Sequence, residues 1–481
     1  MSNRFKNAKI KAEFMSLTRK IVKNTVIHAA GKFIGAIFGL VIVGLITRYL
    51  GTEGYGYYTT IFAYLFFFTV LSDLGLYLIS VNELGRADVD QKKFFSNIWT
   101  MRFFSGVSFL LLAIGLIWLF PYPAQVKVGA IIISFSVLFL MSDQITISLL
   151  QQKMNTISAA LGEVACKIVV LSGVLLAIKM AWSFYAILAA VVAGTAVIFF
   201  INIWAARKFM PFTFCFDWPM WRAILKKSWP IATYMIFSML YFKADTIILS
   251  LYHSQSVVGI YGAPYRLLEA LIAFPAIFMG LISPHLSHAW SENNLIDFKR
   301  IFQKAFDALS LIVWPLFFGS AMLAKPLMNL IAGAEFSASA PILRWLMLAT
   351  GIIFLAHLST FSVVAVGRQR QMMKFYILAA VAAIALYFLL IPKFSYWAAA
   401  GVTILVEFFI LIASYLMVKK TTHLKISWHV FNRAFLAAAI MAAVLYLTNF
   451  GLFANILVGI VVYTGILLIL GVLKKDLISS F

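Results

Sequence analysis

Acidic residues are scarce in this chain: 17 Asp and Glu stand against 39 Lys and Arg among 481 residues. Charged residues of either sign make up only 12%, about half the share of a soluble globular domain. That shortage excludes an ordinary water-soluble fold of this length. Cysteine is nearly absent, with Cys166 and Cys215 alone, so a disulfide framework is excluded. Intrinsic disorder is excluded by a hydrophobic share of 63%. Long polar connections are missing too. The longest, near 207–223 and 289–302, are too short for a soluble domain with its own active site. Gly31-Lys32 lacks the upstream Gly and downstream Ser or Thr of a phosphate-binding loop. His285 and His288 have no third metal ligand close in sequence. No Ser/His/Asp or paired-Cys arrangement stands out, so neither an enzyme nor a bound cofactor is expected.

What is present is apolar length. A net charge of +22 would ordinarily suggest nucleic acid. A mean hydropathy of +0.96 points instead to a bilayer, and no nucleic-acid partner is expected. A helix needs about 20 predominantly apolar residues to cross the hydrocarbon layer. By that measure fourteen spans are predicted, over 25–47, 56–82, 95–120, 124–149, 157–181, 183–206, 224–251, 257–288, 303–324, 338–366, 373–391, 397–418, 430–449 and 452–473. They lack strand-like alternation, which argues against a β-barrel. The span over 257–288 carries Pro264, Pro275 and Pro284 and reads as a single kinked helix.

Basic residues fall mainly on alternate loops. One set of loops and tails holds 28 of the 39, beginning with seven between Arg4 and Lys23, while the opposite set holds five: Arg48, Lys127, Lys179, Lys325 and Lys393. The positive-inside bias then places both termini in the cytoplasm and brings the basic loops against anionic membrane lipids. Residues 1–24 read as a solvated cytoplasmic tail. In span 1, Gly31, Gly35 and Gly39 share one face and suit close packing on a neighbouring helix.

Two short motifs recur six spans apart. Gly56-x-Tyr58 corresponds to Gly259-x-Tyr261, each opening a long helix. Gln151-Gln152-Lys153 corresponds to Gly367-Arg368-Gln369-Arg370. An even offset makes the repeats parallel, related by an axis along the membrane normal.

The run Arg48-Tyr49-Leu50-Gly51-Thr52-Glu53-Gly54-Tyr55-Gly56, followed by Ser72-Asp73-Leu74-Gly75-Leu76, resembles the opening of Wzx-type polysaccharide flippases of the multidrug/oligosaccharidyl-lipid/polysaccharide exporter superfamily. Tyr241-Phe242-Lys243-Ala244-Asp245 resembles the family's span 7. Val258-Gly259-Ile260-Tyr261-Gly262-Ala263-Pro264-Tyr265-Arg266 resembles its span 8. Ile391-Pro392-Lys393-Phe394, with Ala398 to Gly401, resembles the stretch before its span 12. These matches run from about 25 to 418, and spans 13 and 14 carry no motif. The resemblance implies an all-α polytopic fold of two six-helix lobes, 25–206 and 224–418. A linker at 207–223, two extra helices within 419–473 and a tail at 474–481 complete it. It also implies an activity, the movement of an undecaprenyl-diphosphate-linked oligosaccharide between leaflets of a bacterial inner membrane, for O-antigen or a related surface polysaccharide. Other polysaccharide-assembly membrane proteins are expected partners. A lipid II flippase and a multidrug exporter are alternatives in the same superfamily. A membrane polymerase or ligase should carry a large external loop, which this chain lacks.

Ionisable groups at bilayer depth are costly and therefore candidate functional groups. The cations are Lys32, Arg102, Lys167, Lys243, Arg266 and Arg344, and the acids are Asp73, Asp143, Glu163, Asp245, Glu269 and Glu407. An anionic diphosphate calls for fixed cations, Arg above all. Glu163 with Lys167, and Arg266 with Glu269, are spaced to neutralise each other along one helix. Lys32 and Arg102 have no acid within a turn, and Lys243 and Asp245 need partners from other helices. Arg344 is placed to snorkel to the interface. Substrate contacts are therefore expected from Lys32, Arg102, Lys167, Lys243, Tyr265 and Arg266. Asp73, Asp245 and Glu269 are candidates for Na⁺ or H⁺ coupling or gating, Asp73 alternatively serving as a structural acceptor. Tyr57, Tyr58, Tyr234, Tyr241 and Tyr261 are further aromatic candidates, Tyr57 and Tyr58 reading first as interfacial-belt residues.

The orientation is testable. Reporter fusions within 207–223 should report a cytoplasmic location, and fusions at 121–123 or 179–183 a periplasmic one. The reverse pattern would overturn the assignment.

Overall fold

The computed structural model describes residues 2–84, 90–153, 155–448 and 450–472. Among the described residues there are thirteen α-helices, two short 3₁₀ turns and no strand. In chain order the helices are α1 (Ser2–Asp73), α2 (Leu76–Glu83), α3 (Gln91–Leu116), α4 (Ala124–Gln152), α5 (Thr156–Lys179), α6 (Phe184–Ala206) and α7 (Trp218–Tyr252). They continue with α8 (Gln255–Ser291), α9 (Leu295–Ile331), α10 (Ala340–Ala365), α11 (Gln369–Thr422), α12 (His429–Leu447) and α13 (Leu452–Ile469). Eleven are long and apolar enough to cross a membrane.

The longest two helices are each broken once. Gly51 in α1 has φ 64° and ψ −172°, and Ser395 in α11 has φ 54° and ψ −139°. Splitting α1 and α11 at these residues and adding α7 accounts for all fourteen predicted spans. At Gly51 the absence of a Cβ makes the left-handed backbone inexpensive. Ser395 has no such freedom, and it follows Pro392, which cannot donate to the helical ladder. By contrast, Pro264, Pro275 and Pro284 lie inside α8 without breaking it. The basic N-terminal stretch is helical from Ser2 onward. Residues 2–30 contain neither Gly nor Pro and are rich in Lys, Arg and Ala, which favour helix.

The chain divides into two compact units. The first comprises Met1–Tyr49 and Ile61–Ile236, the second Leu50–Thr60 and Phe237–Phe481. In the first, α4 packs on α3 and α6, and α5 on α6. Small residues allow that last approach: a Cβ at Gly173 would fall 2.6 Å from that of Ala190, and one at Gly194 2.9 Å from the Cys166 carbonyl oxygen. A core of Phe95, Ile98, Trp99, Ile145, Leu149 and Ala206 closes one end of this unit. The segment after α6 lies across it, with Cys215 N–H donating to Thr100 Oγ1 (3.0 Å) and Asp217 N–H to Asn97 Oδ1 (2.9 Å). Lys93 and the Met220 N–H hold the Asp217 carboxyl below its usual range. Of the expected glycine seam in span 1, Gly35 faces Glu163 of α5, whereas Gly39 has nothing within 4 Å; Gly31 lies outside the described residues. In the second unit α10 packs on α8, α9 and α11, and α12 packs on α9 and α13.

Backbone strain at Ser395 is of order 1–3 kcal/mol. Ser395→Gly is expected to raise the thermal midpoint and Ser395→Val to lower it, measured by unfolding in detergent. Equal midpoints for the two variants would show that the break stores no strain.

Candidate functional site

In the second unit, residues 52–60 lie on the first turns of α8 with backbone against backbone. A Cβ at Gly56 would sit 1.7 Å from the Gln255 carbonyl oxygen, and one at Gly259 would sit 2.0 Å from the Thr52 carbonyl oxygen. Only glycine permits that approach. Polar clasps flank it: Thr60 Oγ1 donates to Gln255 Oε1 at 2.6 Å, and Thr52 Oγ1 lies 2.8 Å from Ser256 Oγ. The two Gly-x-Tyr turns paired by the repeat thus occupy the same seam.

Gly259, Gly262, Arg266 and Glu269 recur at three- and four-residue intervals and line one face of α8. The seam therefore leads directly to the charged pair. Tyr55 and Tyr58 stack with ring centroids 5.7 Å apart, and both stand within electrostatic reach of the Arg266 guanidinium. Arg266 Nη1 donates to Glu269 Oε2 at 2.9 Å, the local pair expected from spacing. The second Glu269 oxygen is bound by Lys243 of α7. One carboxylate thus sits between two cations, leaving a local charge of +1. These side chains are neither sealed nor fully solvated, with exposures of 35% for Arg266, 21% for Glu269 and 17% for Lys243. The Lys243 ammonium lies 4.5 Å from the centre of the Tyr265 ring, a cation–π contact. Tyr265 is anchored by donating its hydroxyl to the Phe242 carbonyl.

Asp245, two residues beyond Lys243, belongs to a separate and fully buried group. Its Oδ2 accepts from the Tyr261 hydroxyl at 2.5 Å, and its Oδ1 accepts from the Thr246 N–H at 2.5 Å and the Thr246 hydroxyl at 3.1 Å. Tyr387 and Thr403 form a neighbouring hydroxyl pair at 3.2 Å. Lys243 and Asp245 each take a partner from α8, as their two-residue spacing requires.

Arg102 belongs to the first unit, and its environment differs from the expectation. No part of it is exposed. Its Nε donates to the Met141 carbonyl at 3.1 Å, its Nη2 to Gln144 Oε1 at 2.6 Å, and its Nη1 lies 3.2 Å from Asp73 Oδ1. Asp73 is the last residue of α1, after which Leu74 and Gly75 turn the backbone left-handed. The acid missing within a turn of Arg102 is supplied across helices, so the guanidinium is held by the protein. The contact is electrostatic: it lacks hydrogen-bond alignment, and neither Asp73 oxygen has a hydrogen-bond partner among the described residues.

Lys167 is half-buried on α5, and among the described residues no ion pair joins it to Glu163. Arg344 is exposed and donates to the Ala321 carbonyl. The side chains of Lys32, Tyr234 and Tyr241 lie outside the described residues. Three of the six expected substrate contacts therefore come together, namely Lys243, Tyr265 and Arg266, with Glu269 between the cations. Sequence reasoning passed over Tyr55 and set Tyr58 aside. The repeated Gly-x-Tyr turns were the signal that could have placed both beside Arg266.

The model of the polysaccharide biosynthesis protein family matches residues 21–290. The chain has no sequence match among curated proteins. Its fold is similar to that of the lipid II flippase MurJ in an inward closed conformation, with TM-score 0.78 and 18% identity, covering 94% of this chain and 100% of that one. It is also similar to an inward-facing multidrug resistance MATE family transporter, with TM-score 0.65 and 11% identity over 89% of this chain and 100% of that one. A third relative in fold is a MOP superfamily transporter from Pyrococcus furiosus, with TM-score 0.60 and 11% identity over 83% of this chain and 96% of that one.

Gly259→Ala sets a methyl group against backbone that cannot swing away. It should destabilise the second unit by about 1–3 kcal/mol or more, read as a lower thermal midpoint. Gly39→Ala, with open space around it inside a helix, should not lower the midpoint.

Proposed function

The chain belongs to the polysaccharide biosynthesis protein family, and on that premise we propose that it is a flippase for lipid-linked oligosaccharide. It is a multi-pass membrane protein with a transporter fold. On this reading it moves an undecaprenyl-diphosphate-linked oligosaccharide unit from the cytoplasmic to the periplasmic leaflet of a bacterial inner membrane, by alternating access, for O-antigen or a related surface polysaccharide. Both termini face the cytoplasm, and the basic loops rest on anionic lipids. The protein acts as a transporter rather than an enzyme and works beside other polysaccharide-assembly proteins of that membrane.

The observation that carries the reading is the partly exposed cluster of Lys243, Glu269 and Arg266, with its surplus positive charge and the rings of Tyr55, Tyr58 and Tyr265 beside it. A diphosphate is multiply anionic and accepts from both kinds of cation, Arg in a fork and Lys as a point charge. The rings of Tyr55, Tyr58 and Tyr265 are buried and back the cations from within the protein. Glu269 holds the two cations in place in the absence of substrate and yields them to the diphosphate. A cationic drug would meet the wrong sign of charge here, which disfavours multidrug export. The fold similarity to the lipid II flippase favours lipid II as a second candidate cargo. It carries the same polyprenyl diphosphate, and assays with each lipid separate the two. Transport is coupled to an H⁺ or Na⁺ gradient, with Asp245 and Glu269 in the second unit and Asp73 in the first as candidate coupling groups.

Proteoliposomes containing a labelled polyprenyl-diphosphate oligosaccharide test the proposal. Arg266→Ala should slow translocation about tenfold or more, since one hydrogen bond to a charged group contributes roughly 1.5–3 kcal/mol. Arg266→Lys should restore part of the rate. Wild-type rates for Arg266→Ala, at equal protein incorporation, would remove this cluster from the substrate path. Rates indifferent to imposed pH, Na⁺ and voltage gradients would overturn the coupling.

A further inference from the structure

The first unit contains one buried acid that the proposed transport site does not use. Asp143 lies in the middle of α4 with 1% of its surface exposed, and Asn202 of α6 is wholly buried against it. Asn202 Nδ2 donates to Asp143 Oδ2 at 2.9 Å. The second oxygen of each group, Asp143 Oδ1 and Asn202 Oδ1, has no hydrogen-bond partner among the described residues.

The charged and titratable groups on the helices packed around α4 do not neutralise it. On α3, Arg102 is bound to Gln144, the Met141 carbonyl and Asp73 of α1. On α2, Tyr77 donates to Gln151. On α5, Cys166 is within electrostatic range of Asp143 and lies beside both Glu163 and Lys167, which are of opposite sign. α6 presents Asn202 and no acid or base along this stretch.

An ionised carboxylate buried without a cation is strongly disfavoured and ordinarily gives way to the neutral acid. The two orphaned oxygens indicate where the proton goes. Two acceptors left over from one carboxyl and one amide, already joined by an N–H···O bond, are both satisfied by a single hydrogen between them. We propose that Asp143 is a proton-binding site, its Oδ1 carrying a proton that is donated to Asn202 Oδ1 to close a cyclic acid–amide pair. One proton removes the buried charge and both unsatisfied acceptors together. This inference concerns a proton bound without substrate, so it stands or falls separately from the flippase reading.

The test is infrared difference spectroscopy of the reconstituted full-length protein, wild type minus Asp143→Asn, combined with thermal unfolding across pH. At neutral pH the wild type should show a carboxylic-acid C=O band that Asp143→Asn lacks, and alkaline pH should bleach it. The stabilisation belongs to the protonated form, so the wild-type midpoint should fall as pH rises through proton release. Asp143→Asn, which keeps an amide in place of the acid, should lose that fall. Asn202→Leu provides a second variant should Asp143→Asn fail to fold, and it should shift the band as the acid loses its acceptor. No difference band at neutral pH would overturn the proposal, as would a band unmoved in Asn202→Leu. Sodium chloride, compared with choline chloride at fixed pH, should leave the band intact. Loss of the band together with a raised wild-type midpoint would overturn the proton in favour of a metal cation.

Discussion

Charge at hydrocarbon depth has to be neutralised where it stands, because no solvent is present to do so. The placement of Arg102 and Asp245 follows from this constraint. Arg102 is fully buried and tied to Asp73, Gln144 and a carbonyl. Asp245 is fully buried and satisfied by a tyrosine hydroxyl, a threonine hydroxyl and a backbone N–H. Lys243, Glu269 and Arg266 depart from strict neutrality, and unlike Arg102 and Asp245 they retain part of their exposure. Surplus charge and access to solvent go together, as the energetics of desolvation require. This separates a site that can exchange partners from ion pairs that hold helices together.

Access alone does not aim a guanidinium. Arg266 is positioned by a helix crossing so close that side chains are excluded from it. Gly56 and Gly259 admit the opposing carbonyl oxygens, and the clasps from Thr60 to Gln255 and between Thr52 and Ser256 hold the crossing in register. About two turns further along α8 the same face presents Arg266, with Tyr55 and Tyr58 beside it. A rigid contact between main chains therefore lies directly before the charged cluster, the kind of support a binding group needs if its geometry is to be set before a ligand arrives.

Much of the architecture is legible in the sequence, for physical reasons. Apolar length is a local property, so the fourteen spans read directly, including the proline-bearing α8. Local ion pairs read as well, because three- and four-residue spacing places side chains on one helical face: Arg266 does meet Glu269. Contacts between helices do not read. Arg102 reads as unpartnered in sequence because its acid lies 29 residues earlier on α1. Likewise Glu269 answers Lys243 on another helix, and Asn202 answers Asp143 from α6. Residues 2–24 are helical, in keeping with good helix propensity and no breaker.

On the proposed reading, Glu269 explains how such a cluster persists between substrates. Two cations facing an empty site would repel each other and would lose hydration without a replacement. A carboxylate between them removes both penalties, and it also fixes the spacing at which Lys243 and Arg266 stand. On the proposed reading, a diphosphate therefore does not bind to bare cations. It displaces one anionic ligand by another, and the net gain is the difference between phosphate oxygens and a single carboxylate. Such an exchange makes binding moderate and reversible, which suits a carrier that must release its cargo on the far side. It also explains why Lys243 rests on the Tyr265 ring. The ring faces one side of the ammonium while Glu269 holds another, so the cation keeps a favourable contact when the carboxylate turns away.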